Sequence, residues 1–166
     1  MILFSDEAGI KLEPTLGPIW SLKGKQPKVP TNSSWTRVNL TGFVDPVRGT
    51  IMVNNMPKGN SENFVKQLEL VLEAFKDKRL VTIYVDNARW HKTDLVKNWV
   101  KNNPTINLDY LPKYAPDVNP IERHWWFLRK ETTQCVLFES YEECWEAIKY
   151  HFDILTPEAI KALCQI

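Results

Sequence analysis

Cysteine is scarce in this sequence and poorly placed for cross-linking. Cys135, Cys144 and Cys164 are odd in number and form no CxxC pair. That argues against a disulfide framework and a structural zinc site, and suits a reducing compartment. No apolar run approaches the ~20 residues a membrane span needs. No basic stretch precedes an apolar one at the amino terminus, so no signal peptide is expected. Repeats and low-complexity tracts are missing too. These absences predict a cytoplasmic protein with no membrane partner. An excess of charge of either sign is also missing: the formal net charge is +1, which makes no general case for nucleic-acid binding.

What is present fits one folded domain. The 166 residues, 43% hydrophobic and 25% charged, match an average soluble chain that buries about 70% of its unfolded surface. The charge is unevenly spread. No acid lies between Glu13 and Asp45, while Lys23, Lys25, Lys28 and Arg37 all do. Such a stretch can meet phosphates even when the total is near zero; a plain solvated loop is the other reading.

The chain starts in an apolar run, Met1 to Phe4, that is expected to end at Ser5-Asp6-Glu7. Ile19 to Leu22 predicts a short strand, and residues 23 to 36, rich in Pro, Lys, Ser and Asn, predict a loop. Val38 to Val44 alternates as a strand, Asp45 to Gly49 carries turn chemistry, and Thr50 to Val53 returns. A helix capped by Ser61 follows, with Phe64, Leu68, Val71, Leu72 and Phe75 on one stripe. Leu80 to Val85 reads as a strand buried on both faces. Leu95 to Val100 predicts a helix stopped before Pro104, and Ile106 to Tyr110 another strand. Asn119 caps a helix with Pro120 at its first position. Ser140-x-x-Glu143 is a capping box, and Thr156-Pro157 opens a last short helix. Antiparallel strands followed by alternating helices and strands give an α/β mixed sheet with helices on its faces.

Three of the 20 acids stand where such a sheet places chemistry. Asp6 and Asp86 end strands that, if parallel and adjacent, share one carboxyl edge. Glu122 lies in the first turn of the helix after the next strand. Three carboxylates without a Cys or His cluster suit Mg²⁺ or Mn²⁺. Two such ions can clamp the attacking and leaving oxygens of an in-line phosphoryl displacement. Each acid also has a plainer reading: Glu122 closing a capping box, Asp86-Asn87 a turn, Asp6 a cap.

The words around these acids narrow the choice. LPKYAPDVNPIERHW, residues 111 to 125, resembles the signature of mariner-superfamily transposases in the bacterial insertion-sequence branch. VDNARWH (85 to 91) resembles that family's second-acid block, SDEAG (5 to 9) its first, and TRVNLTGFVDP a family strand. The resemblance implies a ribonuclease H-like fold of three antiparallel strands plus parallel strands. It makes Asp6, Asp86 and Glu122 the catalytic and metal-binding triad for two ions, with Glu7 a neighbour and not a ligand. Thirty-five residues separate Asp86 from Glu122, the short spacing of such enzymes, and Glu in third place points to the insertion-sequence branch.

The resemblance further implies cleavage of double-stranded DNA at transposon ends and transfer of the 3′-hydroxyl into a target, by a homodimer associated with the nucleoid. The N-terminal helix-turn-helix modules of the family are absent from residues 1 to 166, so the chain is expected to be a single catalytic domain, excised or from a split element. Asn87 and His91 match positions beside the second acid and are expected to orient a ligand or a phosphate; a surface-loop histidine is the alternative. Arg89 and Lys113 are candidate phosphate contacts. Ile121, Trp125 and Leu128 share a core face; core packing is expected of Trp126 and Phe127 too, with exposure of one of them to a partner or to DNA bases as the alternative. A plain nuclease of this fold and a non-catalytic DNA-binding remnant remain as alternatives.

Overall fold

Alternation builds the sheet, and its two faces are covered by different helices. The structure is a computed structural model that describes residues 1–31, 35–113 and 118–165. Residues 114–117 of the signature word therefore lie outside the described residues, as do 32–34 within the basic stretch.

Five strands, β1 (Ile2–Lys11), β2 (Arg37–Asp45), β3 (Thr50–Asn55), β4 (Val81–Val85) and β5 (Ile106–Tyr110), form one sheet in the order β3-β2-β1-β4-β5. The β3-β2-β1 half is antiparallel, and β4 and β5 add to β1 in parallel. The expected mixed sheet is observed. β1 does not end at Asp6: it continues to Lys11, because Ala8 and Ile10 are buried and the strand pairs with β2 as far as Arg37. It meets β4 only from Ile2 to Phe4. Asp6 therefore sits mid-strand, just beyond the point where β4 stops.

Along β1 successive side chains face opposite sides of the sheet. Leu3 packs beneath α1 (Ser61–Ala74) and α2 (Asp94–Asn102), with Phe64, Leu68, Val71, Ile83 and Val96. Ala8 and Ile10 pack beneath α3 (Ile121–Leu128), α4 (Tyr141–Asp153) and α5 (Pro157–Cys164), with Val38, Leu40, Trp125 and Ile148. No described helix is long and apolar enough to cross a membrane.

The helix ends follow local chemistry. α1 is capped by Asn60, whose Oδ1 accepts from Asn63 N at 2.8 Å. Ser61, the expected cap, is its first residue, and its hydroxyl donates to Trp90 O. α3 begins at Ile121, with Pro120 in the cap position and Asn119 just outside. α4 and α5 are capped as expected by Ser140 and Thr156. Ile19 to Leu22 forms no strand. Trp20 there is 100% exposed, in a long β1–β2 connection whose described residues add no strand to the sheet.

Candidate active site

Asp6 and Asp86 meet as the parallel pairing requires. Phe4 pairs with Tyr84, and the same offset two residues on sets Asp6 beside Asp86. α3 brings Glu122 to the same place, exposed in its first turn, where a negative charge also suits the helix dipole. The Asp6 carboxyl is pushed up to about 7, first by burial, then by Glu122, Glu7 and Asp86. Asp6 thus feels the charges of both other expected acids, Glu122 and Asp86. Among the described residues, however, no three His, Cys, Asp or Glu side chains are grouped closely enough to hold an ion.

Asp86 is in the opposite condition. Its side chain is 49% exposed, Oδ1 accepts from Ala88 N at 2.8 Å, and His91 Nδ1 lies 3.0 Å away. The hydrogen bond from His91 holds the Asp86 carboxyl below the usual range, against a smaller effect of burial.

His91 is only 1% exposed, which overturns the surface-loop reading. It sits in a 3₁₀ turn, Arg89–Lys92, with its ring 4.2 Å from that of Phe64. Burial alone would depress its pKa, but hydrogen bonds to Asp86 and Glu7, and their charges, raise it to about 9. Nε2 has two near neighbours, Glu7 Oε1 at 3.2 Å and Trp90 Nε1 at 3.0 Å. The carboxylate accepts from a charged ring, whereas the indole donates to a neutral one. With Asp86 on the other nitrogen, the charged form prevails.

Glu7 thus points to the α1 face, toward His91, while Asp6 points to the α3 face. That alternation supports Glu7 as a neighbour of the site. Asn87 is committed within the protein: Nδ2 donates to Leu111 O at 2.6 Å, and Oδ1 accepts from Lys92 Nζ. Lys92 lies 4.7 Å over the Tyr110 ring, and Tyr110 donates to His91 O. Asn87 therefore fixes the loop that carries Asp86.

The expected phosphate contacts divide into two groups. Arg89 is exposed three residues past Asp86, and Lys113 is exposed just beyond β5. Leu111 N donates to Val85 O, so both lie at the carboxyl edge. Lys23, Lys25 and Lys28 are exposed in the β1–β2 connection. Arg37 pairs with Lys11, five residues and roughly 17 Å along β1 from Asp6. Arg37 is therefore not brought to the carboxylates.

Two residues gained roles that periodicity did not assign. Trp125, read as core, is buried, and its indole N–H also donates to Asp6 Oδ2 at 3.1 Å. Asn119, read as a cap, is buried and donates from Nδ2 to Ser5 O at 3.1 Å. The available signal was the rule that a buried indole or amide needs a partner. Trp126, one turn beyond Glu122, does not take the expected core position: Ile121, Trp125 and Leu128 take the inward face, leaving it 58% exposed with Lys130 Nζ 5.2 Å over its ring. Trp126, Arg129 and Lys130 line a groove of about 450 Å³ with Thr15, Pro18 and Gln134.

Known proteins are similar to this chain in sequence and in fold. A family model described as DDE superfamily endonuclease matches residues 1–152. The chain is 26% identical over 156 residues to the insertion element IS630 uncharacterized 39 kDa protein of Shigella sonnei, covering 94% of this chain and 46% of that protein. It is 28% identical over 104 residues to the uncharacterized protein y4pE/y4sA of Sinorhizobium fredii, covering 63% and 74%. The chain therefore spans less than half the length of the first of these relatives. Among solved structures, the catalytic domain of Mos1 mariner transposase superposes with a TM-score of 0.67 at 19% identity, over 98% of this chain and 74% of that one. A pre-cleavage Mos1 transpososome gives 0.76 at 16% identity, over 98% and 51%. Mos1 mariner paired end complexes exist with Mn and with Mg. These likenesses establish the ribonuclease H-like fold.

Proposed function

Since the chain belongs to the DDE superfamily of endonucleases, we propose that residues 1–166 form one catalytic domain of a DNA transposase, with Asp6, Asp86 and Glu122 as its metal-binding triad. One observation carries the assignment. Asp6 and Asp86 stand side by side across the paired β1 and β4, and the charges of Glu122, Glu7 and Asp86, with burial, raise the Asp6 pKa to about 7. His91 is held by Glu7 and Asp86. An all-oxygen site with surplus negative charge fits Mg²⁺ or Mn²⁺. Asp6, Asp86 and Glu122 would hold two such ions, drawing together as they bind. When bound, the ions activate a hydroxyl nucleophile and stabilise the leaving oxyanion of a phosphodiester.

The chain's own residues do the rest. His91 keeps Asp86 ionised and fixes its orientation. Glu7 secures His91 from the other face of the sheet, and Asn87 anchors the loop that carries both. Arg89 and Lys113, exposed at the carboxyl edge, meet phosphates of the duplex near the scissile bond. Trp126 and Lys130 extend that surface along α3. The cations Lys23, Lys25, Lys28 and Arg37 hold DNA farther away. Two copies of the chain act together, each on one transposon end, and cleavage is followed by joining of the 3′-hydroxyl to a target in the nucleoid.

Calorimetry with Mn²⁺ on the wild-type domain and on Asp86→Asn tests this reading. Two ions should bind the wild type, with or without a nicked duplex present, and the substitution should abolish binding. Cleavage by the variant should fall by more than about 100-fold, beyond the effect of removing an outer partner. Products from a nicked duplex should include joined strands. Cut strands alone would identify a nuclease of the same fold, and no Mn²⁺ binding in either condition would leave a non-catalytic remnant.

A further inference from the structure

The α3 helix carries Glu122, and its distance from β1 decides how far that carboxylate stands from Asp6. Two features of the contact are unusual for simple packing. Trp125, three residues after Glu122 and hence beside it on the helix, is 1% exposed in the core. Its N–H reaches Asp6 Oδ2 at 3.1 Å across 119 positions. A leucine or phenylalanine would fill such a slot without a donor that must be satisfied.

The second feature lies under the ring. Gly42 is the β2 partner of Asp6. A Cβ placed there would come within 2.6 Å of both Ile121 Cδ1 and Trp125 Cη2. Any side chain at position 42 would push α3 away from the sheet at the pair that includes Asp6. Just before Asp6, Asn119 Nδ2 holds Ser5 O at 3.1 Å, so two hydrogen bonds from the start and middle of α3 bracket the carboxylate.

We propose that Trp125, seated on the bare backbone of Gly42, is a positioning residue that sets the orientation of the Asp6 carboxylate and its separation from Glu122. The inference rests on the triad assigned above. It treats the indole N–H as a fixed donor to Oδ2, so that Asp6 is presented in one rotamer before any ion arrives. Preorganised ligands bind more tightly than ligands that must be ordered on binding.

Trp125→Phe keeps the aromatic volume and removes the donor; Gly42→Ala keeps the donor and displaces the helix. Both should weaken Mn²⁺ binding by about 10- to 100-fold, the range for partners behind a metal ligand, at temperatures where circular dichroism shows the variants folded. A second readout needs no metal. The ¹⁵N indole resonance of Trp125, assigned by its disappearance in Trp125→Phe or, should that variant not fold, in Trp125→Tyr, should shift in Asp6→Asn and stay put in Glu62→Gln. Unchanged Mn²⁺ affinity in a folded Trp125→Phe, or an indole resonance indifferent to Asp6→Asn, overturns the proposal. If Asp86→Asn meanwhile abolishes Mn²⁺ binding, the triad stands and only the role of Trp125 falls. If Asp86→Asn leaves binding intact, the triad itself falls.

Discussion

Asp6 and Asp86 are the same residue type at matching positions on neighbouring parallel strands, and the fold leaves them in opposite states. Asp86, half-exposed at the end of β4, is held ionised by the buried imidazolium of His91. Asp6, deeper and mid-strand, is crowded by like charges and pushed up to about 7. One half of the site carries its own counter-charge; the other half is stabilised only when positive charge is supplied from outside. The difference shows how a sheet can hold several acids together without unfolding. It neutralises one locally and favours a proton on another.

The largest expected break in this comparison comes from removing its cation. His91→Gln should reduce Mn²⁺ affinity by about 10- to 100-fold, and nuclear magnetic resonance should show the Asp86 carboxyl titrating higher than in the wild type. An unaltered Asp86 titration would mean that His91 is a packing residue.

Next comes a difference in sign. At pH 8 without metal, Asp6→Asn should stabilise the domain, because a crowded buried charge is removed. Asp86→Asn should destabilise it by about 1 kcal/mol, since a charged hydrogen bond is lost from a half-exposed group. Urea denaturation of both variants reads this directly, and shifts of the same sign would dissolve the contrast.

A smaller effect is expected along the pH axis. His91 holds its proton more tightly folded, at about 9 against 6.5, so its stabilisation is full below 6.5 and lost as pH rises through 9. Asp6 acts in the same direction from about 4 to 7. His124, lowered to about 4 by burial and then by His151, acts oppositely: its contribution is present above 6.5 and lost as pH falls toward 4. The metal-free domain should therefore be most stable at or below about pH 6.5, where the Asp6 and His124 effects offset, and weaken from there toward pH 9. Saturating Mn²⁺ should flatten that decline, and urea midpoints between pH 6 and 9 check it.

The smallest effect on the site should come from the β1–β2 connection. Arg37 lies roughly 17 Å from Asp6, beyond the ~8 Å screening length at physiological salt. Neutralising Lys23, Lys25, Lys28 and Arg37 should leave Mn²⁺ affinity within roughly twofold. It should lower the salt slope of duplex binding by up to about 3.6, if all four meet phosphates. An unchanged slope would return these residues to the role of a solvated loop.

Much of this organisation is legible in the sequence because it depends on periods and caps. Ser140 and Thr156 announce their helices, and alternation announces β2 and β5. The parallel pairing that joins Asp6 to Asp86 is only a condition in the sequence, and the sheet order meets it. The second half of β1 is not legible. Its inward residues, Ala8 and Ile10, are separated by Gly9 and preceded by Asp6 and Glu7, and only pairing with β2 makes the segment a strand. Ile19 to Leu22 misleads for the converse reason, being apolar without a partner. The His91 contacts depend on a turn packing against α1, and the Trp125 contact depends on Gly42 lying 83 residues earlier. Such roles are set by tertiary approach and leave no local pattern.

The docking of α3 also has a consequence in time. The hydrogen bonds Asn119–Ser5 and Trp125–Asp6 span 114 and 119 positions. During synthesis the amino-terminal segments emerge first and begin to fold as they do, so β1 to β5 can pair with α1 and α2 already on one face. Asp6 then still looks onto bare sheet. A nascent chain that stops short of α3 carries two of the three acids and lacks both the third and the indole that sets the first. On the proposed triad, the unfinished chain therefore holds no complete set of ligands until α3 has docked.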